Sequence, residues 1–150
     1  MNPYLISAIE FGPAVVRRIV NLIPADRLDE AIEPDRFTPR EVIAHLADWE
    51  PIDRDRLTSG VEMPGSTIQP YAEAQMAVDH DYAHSNLASE LERYTNERKI
   101  TAEYMRRLTS EDMAKSVNHP ERGIQTVSDL CGVILGHDVY HIEQLSAYLE

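Results

Sequence analysis

Apolar residues recur along this chain at helical spacing, in four long stretches separated by polar, Gly- and Pro-bearing connections. The first stretch, about residues 13–23, carries Val16, Ile19, Val20 and Ile23. Pro13 suits its first turn, where a missing N–H costs nothing. Tyr4, Leu5, Ile6 and Ile9 read as a separate preceding turn, broken by Gly12-Pro13. The second stretch has the clearest start. Thr38-Pro39-Arg40-Glu41 has the pattern of a capping box, with Phe37 and Val42 placed as a hydrophobic staple. Val42, His45, Leu46 and Trp49 then mark an inward face, and Pro51 predicts a kink before the helix ends near Leu57.

Periodicity fades across residues 58–85, where Gly60, Pro64, Gly65, Ser66 and Pro70 mark a connection, with partial helix expected from Tyr71 onward. A connection of this length in a compact domain suits a lid. The third helix is predicted over about residues 86–108, with Leu87, Leu91, Tyr94, Thr101, Met105 and Leu108 inward. A turn-rich stretch, Asn118-His119-Pro120-Glu121-Arg122-Gly123, leads to the fourth. That helix starts near Thr126, with Asp129 three residues on, and carries Val127, Leu130, Cys131, Ile134, Leu135, His141, Ile142, Leu145 and Leu149. No strand-like alternation of useful length appears. The expected fold is therefore all-α: one four-helix-bundle domain over residues 1–150, with long connections between helices two and three and between helices three and four.

Composition narrows the partners more than the fold. A formal charge of −12, from 26 acids against 14 bases, repels phosphate backbones and anionic lipid, which excludes nucleic acid and membrane as expected partners. No apolar run has the length of a bilayer span, and the N-terminus lacks the pattern of a signal peptide. A lone cysteine, Cys131, forms no internal disulfide, which suits a cytoplasmic protein.

The chemistry concentrates in three histidines. His137 and His141 lie four residues apart on a helix of about 3.6 residues per turn, so both project from one face. That face is apolar, and a buried imidazole needs a partner at each ring nitrogen. His45, on the inward face of helix two, completes a candidate metal triad. Three neutral imidazoles suit Zn²⁺ or Ni²⁺, with Fe²⁺, Mn²⁺ or Co²⁺ also compatible. The same spacing in His80 and His84 lies among acids without an apolar stripe and reads as solvated surface, and His119 reads as a loop residue bordering the site at most.

Around the triad, Asp138 is placed either to orient an imidazole or to be a solvated helix acid. Glu50 is a candidate base for a metal-bound water but lies off the His45 stripe, and so reads as a surface carboxylate. Arg98 falls within the inward stripe of helix three and either pairs with a core acid, the expected role, or receives an anionic substrate or thiolate. Tyr140 and Gln144 are close enough to line a pocket, whereas Cys131 is too far along the axis and reads as a core thiol. The pocket itself is expected beside Trp49 and the connection of residues 58–85.

The segments Phe37-Thr38-Pro39-Arg40-Glu41-Val42-Ile43-Ala44-His45-Leu46-Ala47-Asp48-Trp49-Glu50 and Asn118-His119-Pro120-Glu121-Arg122-Gly123 carry a family likeness, as does Gly136-His137-Asp138-Val139-Tyr140-His141-Ile142-Glu143-Gln144. Together they resemble the DinB-like (DinB/YfiT-like) superfamily over nearly the whole chain. Phe37-Thr38 stands where tryptophan-serine is common, a departure that touches the helix cap and not the ligands. The resemblance implies a four-helix bundle that binds a divalent metal through His45, His137 and His141, commonly as a homodimer. Some members use low-molecular-weight thiols in S-transfer or isomerisation. Two function classes follow. One is a metalloenzyme activating water or a thiol for transfer, isomerisation or hydrolysis of a small molecule. The other is a non-catalytic metal-binding or stress-response module that dimerises. The residues name no catalytic base and no cofactor-binding side chain beyond the triad.

Overall fold

A computed structural model describes residue 2 and residues 4–149. Four long helices carry the fold: α1 (Leu5–Val20), α2 (Pro39–Glu62), α4 (Leu87–Met105) and α6 (Val127–Ser146). Short elements fill the connections. Helix α3 (Glu73–Asp79) and a 3₁₀ turn at Tyr82–His84 lie between α2 and α4. Helix α5 (Ser110–Ala114) and a hairpin of β1 (Ser116–His119) and β2 (Gly123–Thr126) lie between α4 and α6. Each of α1 and α2 packs against both α4 and α6. Among the described residues no helix is long and apolar enough to cross a membrane.

The helix starts follow local chemistry. Thr38, Thr109 and Thr126 each accept from the backbone three residues on, while Glu41, Asp112 and Asp129 reach back to the cap. Asn86 caps α4 through Ser89. Two expectations fail. Helix α1 runs unbroken through Gly12-Pro13 instead of starting there, and α2, which passes Pro51 as expected, ends at Glu62 rather than near Leu57. A two-stranded antiparallel hairpin, with Val117 opposite Gln125 and Asn118 opposite Ile124, occupies a stretch expected to be irregular. Strands of four residues are too short to show alternation, and Gly123, at φ 76°, supplies the turn that closes them. The hairpin also tethers the connection after α2: Asn118 donates to the Ser66 carbonyl and Ile68 donates to the Asn118 carbonyl. The first part of the expected lid is thus backbone-bonded to a strand.

The interior divides into two apolar clusters, one around Val16, Ile43, Leu46 and Leu145, the other around Ile9, Leu57, Met105 and Ile134. Along each long helix the residue between those levels is polar or small: Gly12 on α1, Glu50 on α2, Arg98 on α4 and Asp138 on α6. Arg98 is 2% exposed and binds all three neighbouring helices. Its Nε donates to Glu50 Oε2 at 2.8 Å, Nη2 donates to Asp138 Oδ1 at 2.9 Å, and Nη1 donates to the Ile9 carbonyl at 2.6 Å. Tyr94 adds its hydroxyl to Asp138 Oδ1 at 2.7 Å.

This layer explains why α1 does not break. Pro13 has no N–H for the Ile9 carbonyl four residues back, and Arg98 satisfies that carbonyl instead. Gly12 leaves the space: a Cβ there would collide with the Asp138 carboxylate and crowd Arg98 Nη1. Glu50 and Asp138 are therefore not surface acids. They are buried partners of one guanidinium, and Asp138 bonds Arg98 and Tyr94 rather than an imidazole. Asp53, buried one turn beyond Glu50, has its carboxyl pushed up to about 7 by desolvation and by the charge of Glu50, with Arg56 opposing.

Arg98→Met should cost roughly 3–5 kcal/mol, because it leaves two carboxylates buried without a counter-charge. Adding Glu50→Gln and Asp138→Asn to that variant should recover part of the loss. Urea denaturation measures both. A loss within about 1 kcal/mol for Arg98→Met, in the range of an exposed pair, would contradict this assignment.

Candidate metal centre

His45 lies two turns into α2, and His137 and His141 occupy adjacent turns of α6, which packs against α2. The three side chains converge through Nε2. His137 Nε2 lies 2.9 Å from His45 Nε2 and 3.0 Å from His141 Nε2. No other His, Cys, Asp or Glu among the described residues joins this group. Phe37 and Trp49 flank the His45 ring, each with centroids 5.2 Å away, and the Tyr140 ring sits edge-on to His141 at 5.1 Å.

Protonation follows from these contacts. Gln144 Nε2 donates to the Phe37 carbonyl at 2.9 Å, which turns Gln144 Oε1 toward His141 Nδ1 at 3.0 Å. That oxygen can only accept, so the His141 proton sits on Nδ1 and its Nε2 presents a lone pair to the cluster. Burial lowers the proton affinity of all three rings. The pKa falls to about 3 at His45, with the charge of His141 adding to the effect, and to about 4 at His141, where the hydrogen bond it donates to Gln144 partly opposes the shift. His137, pressed by both other imidazoles, is lower still. All three are neutral near pH 7.

The donor set fits a divalent ion. An imidazole Nε2 holds one proton or one lone pair, so His137 cannot make two full hydrogen bonds to its two close neighbours. A shared cation facing three lone pairs resolves that conflict. It would also leave each remaining N–H on Nδ1, where His141 already has its acceptor and where His45 Nδ1 is buried without one.

A cavity of about 390 Å³ opens on this cluster, with His137, His141, Tyr140 and Gln144 of α6 on one side. Arg36 and Phe37 ahead of α2, with Glu73 and Ala74 of α3, form the other. The connection after α2 thus contributes a wall, as expected, but Trp49 is not among the lining residues. It packs against His45 and His137 instead. Arg36 and Glu73 escape detection by sequence because neither sits on a periodic helical face.

The other histidines stand apart from the cluster. His84 is largely exposed beside Asp81. His80, expected to be solvated, is half-exposed and bonds Asp48 at 2.5 Å, where Tyr82 also donates at 2.9 Å, so it fastens the connection to α2. His119 is buried in β1, its Nδ1 accepting from the backbone of Glu121 at 3.2 Å. It is a fold residue of the hairpin, and Cys131 lies in the apolar core as expected.

A curated protein of Oceanobacillus iheyensis, named "Putative metal-dependent hydrolase OB0782", is 28% identical over 144 residues, spanning 95% of this chain and 82% of the relative. Among solved structures, YfiT from Bacillus subtilis superposes with a TM-score of 0.90 at 22% identity, covering 96% of this chain and 83% of that one. It is described as a probable metal-dependent hydrolase with an unusual four-helix bundle topology. A mycothiol-dependent maleylpyruvate isomerase superposes at 0.75 with 12% identity, covering 94% of this chain and 59% of that one. At these identities the superpositions establish the shared fold. The family model of the DinB superfamily matches residues 8–145, a span that holds all three clustered histidines, and the chain belongs to that superfamily.

Proposed function

We propose that this protein is a metalloenzyme in which His45, His137 and His141 hold one divalent ion through Nε2, and that it acts on a small molecule admitted by the adjoining cavity. The observation that carries this reading is the convergence of three neutral Nε2 atoms, without a fourth clustered donor among the described residues, beside a cavity large enough for substrate. A site built only to hold an ion supplies four protein ligands, whereas three leave room for a reactant. Zn²⁺ and Ni²⁺ match imidazole donors best, with Fe²⁺, Mn²⁺ and Co²⁺ compatible.

When bound, such an ion supplies Lewis acidity that brings the pKa of water or of a thiol toward neutrality. The chain does the rest. Gln144 fixes the tautomer and orientation of His141, Phe37 and Trp49 dry the flank of His45, and α3 helps to enclose the cavity. The names of the relatives favour water as the nucleophile, hence hydrolysis. A low-molecular-weight thiol, with transfer or isomerisation as the outcome, is the second reading, favoured by the shared fold of the thiol-dependent isomerase. A non-catalytic metal-binding module would have no need of the cavity.

Metal analysis and calorimetry on purified protein should show one equivalent of zinc. His137→Ala should weaken that binding by more than about 100-fold, beyond the effect of losing an outer partner, while the helical circular dichroism stays unchanged. A panel of esters and amides, and of electrophiles with thiols, should then reveal turnover that is lost in the same variant. Equal zinc affinity in His137→Ala would overturn the ligand assignment, and turnover untouched by it would overturn the mechanism.

The lowered histidine pKa values give a pH signature in the metal-free protein. An imidazole in the unfolded chain takes up a proton below about pH 6.5, while the folded cluster refuses it until the pH nears 4 or lower. The unfolded state therefore gains protons first, and stability should fall as pH drops from 6.5 toward 4. Urea midpoints across this window should fall less steeply in His137→Ala. Parallel slopes would contradict the assigned shifts.

A further inference from the structure

Among the described residues, Arg36 is the one Arg or Lys lining the cavity that adjoins the histidines. Its guanidinium lies 5.2 Å from the centre of the Tyr140 ring, and that ring is 5.1 Å from His141, so one aromatic ring contacts both the cation and a histidine of the cluster. Nη2 is withdrawn from water and has no hydrogen-bond partner among the described residues. Nη1 reaches only Glu33, at 3.5 Å, and that carboxylate is 62% exposed. The acids at the cavity, Asp35 and Glu73, are exposed and leave Nη2 unserved. Withholding one donor of a guanidinium from water without a partner is unfavourable, and the rest of the Arg36 side chain, 29% exposed, stays within reach of a ligand in the cavity. Planar oxyanions satisfy the guanidinium fork two donors at a time.

We propose that Arg36 receives a carboxylate of the molecule that reacts at the histidine site, which makes the ligands of this cavity small organic acids. This inference rests on the metal-centre reading above. The acid binds with its carboxylate on Arg36 and its reactive end at the histidines, and the Tyr140 ring, in contact with both Arg36 and His141, sets the length of molecule that spans them. The carboxylate belongs to the reacting substrate or to a thiol partner, and both present the same group to Arg36.

Cobalt-substituted protein tests this without turnover, because ligands that enter at the ion change its visible absorption. One arm titrates mercaptoacetate, 3-mercaptopropionate and 4-mercaptobutyrate against the corresponding mercapto-alcohols. The other titrates succinic monohydroxamate against butyrohydroxamate, which carries no thiol. Wild-type protein should prefer the acid at least 10-fold at one length, Arg36→Met should abolish that preference while neutral ligands bind within about 2-fold, and Arg36→Lys should restore part of it. An Arg36-dependent preference confined to thiols assigns the carboxylate to a thiol, and one confined to hydroxamates assigns it to the substrate. No preference in either arm, or a preference that survives Arg36→Met, overturns the proposal. Protein that shows no cobalt absorption at all overturns the metal-centre reading and this inference with it, an outcome distinct from loss of the acid preference alone.

Discussion

Arg98 directs its guanidinium to Glu50 on α2, to Asp138 on α6 and to the Ile9 carbonyl on α1, so one side chain of α4 touches every other long helix. Burying these charges is costly, and exchanging such a network for apolar residues is often neutral or favourable in other proteins. Its contribution here is to register. A slide of any helix by one turn would separate a buried charge from its partner, whereas the apolar clusters above and below would tolerate repacking. Gly12 and Pro13 complete the constraint on α1, one by admitting the Asp138 carboxylate and the other by releasing a carbonyl for Arg98.

The register passes directly to the site. Asp138 follows His137 in sequence, and Glu50 follows Trp49, the ring packed on His45 and His137. Holding Asp138 and Glu50 on one guanidinium therefore fixes the height at which α6 and α2 present their histidines. Gln144 then ties α6 to the lead-in of α2 through the Phe37 carbonyl while setting the proton of His141. Structural and chemical layers are stacked along the same two helices, with ionic groups inside the bundle and neutral imidazoles at the cavity.

The long helices and the triad were readable in the chain because periodicity and capping are local signals. Thr38 with Glu41, and Thr126 with Asp129, announce α2 and α6, and the inward stripes carry His45 and the α6 pair to facing positions. Arg98 betrayed itself as a cation on an apolar stripe. Its partners did not, since Glu50 and Asp138 look like ordinary helix acids until the guanidinium that faces them is known. The break expected at Gly12-Pro13 failed for the same reason: the group that rescues the Ile9 carbonyl lies 89 residues away in sequence. The hairpin and the cavity wall were hidden because they depend on tertiary pairing. Strands of four residues and an arginine in a loop leave no periodic trace.

X-ray absorption at the zinc edge of the loaded protein reports most directly on whether the three histidines share one ion. The expected spectrum has three imidazole nitrogens at about 2.0–2.1 Å with multiple scattering from their rings, and the remaining coordination filled by lighter oxygen donors. A sulfur shell near about 2.3 Å, or fewer than two imidazoles per zinc, would contradict a centre built from His45, His137 and His141.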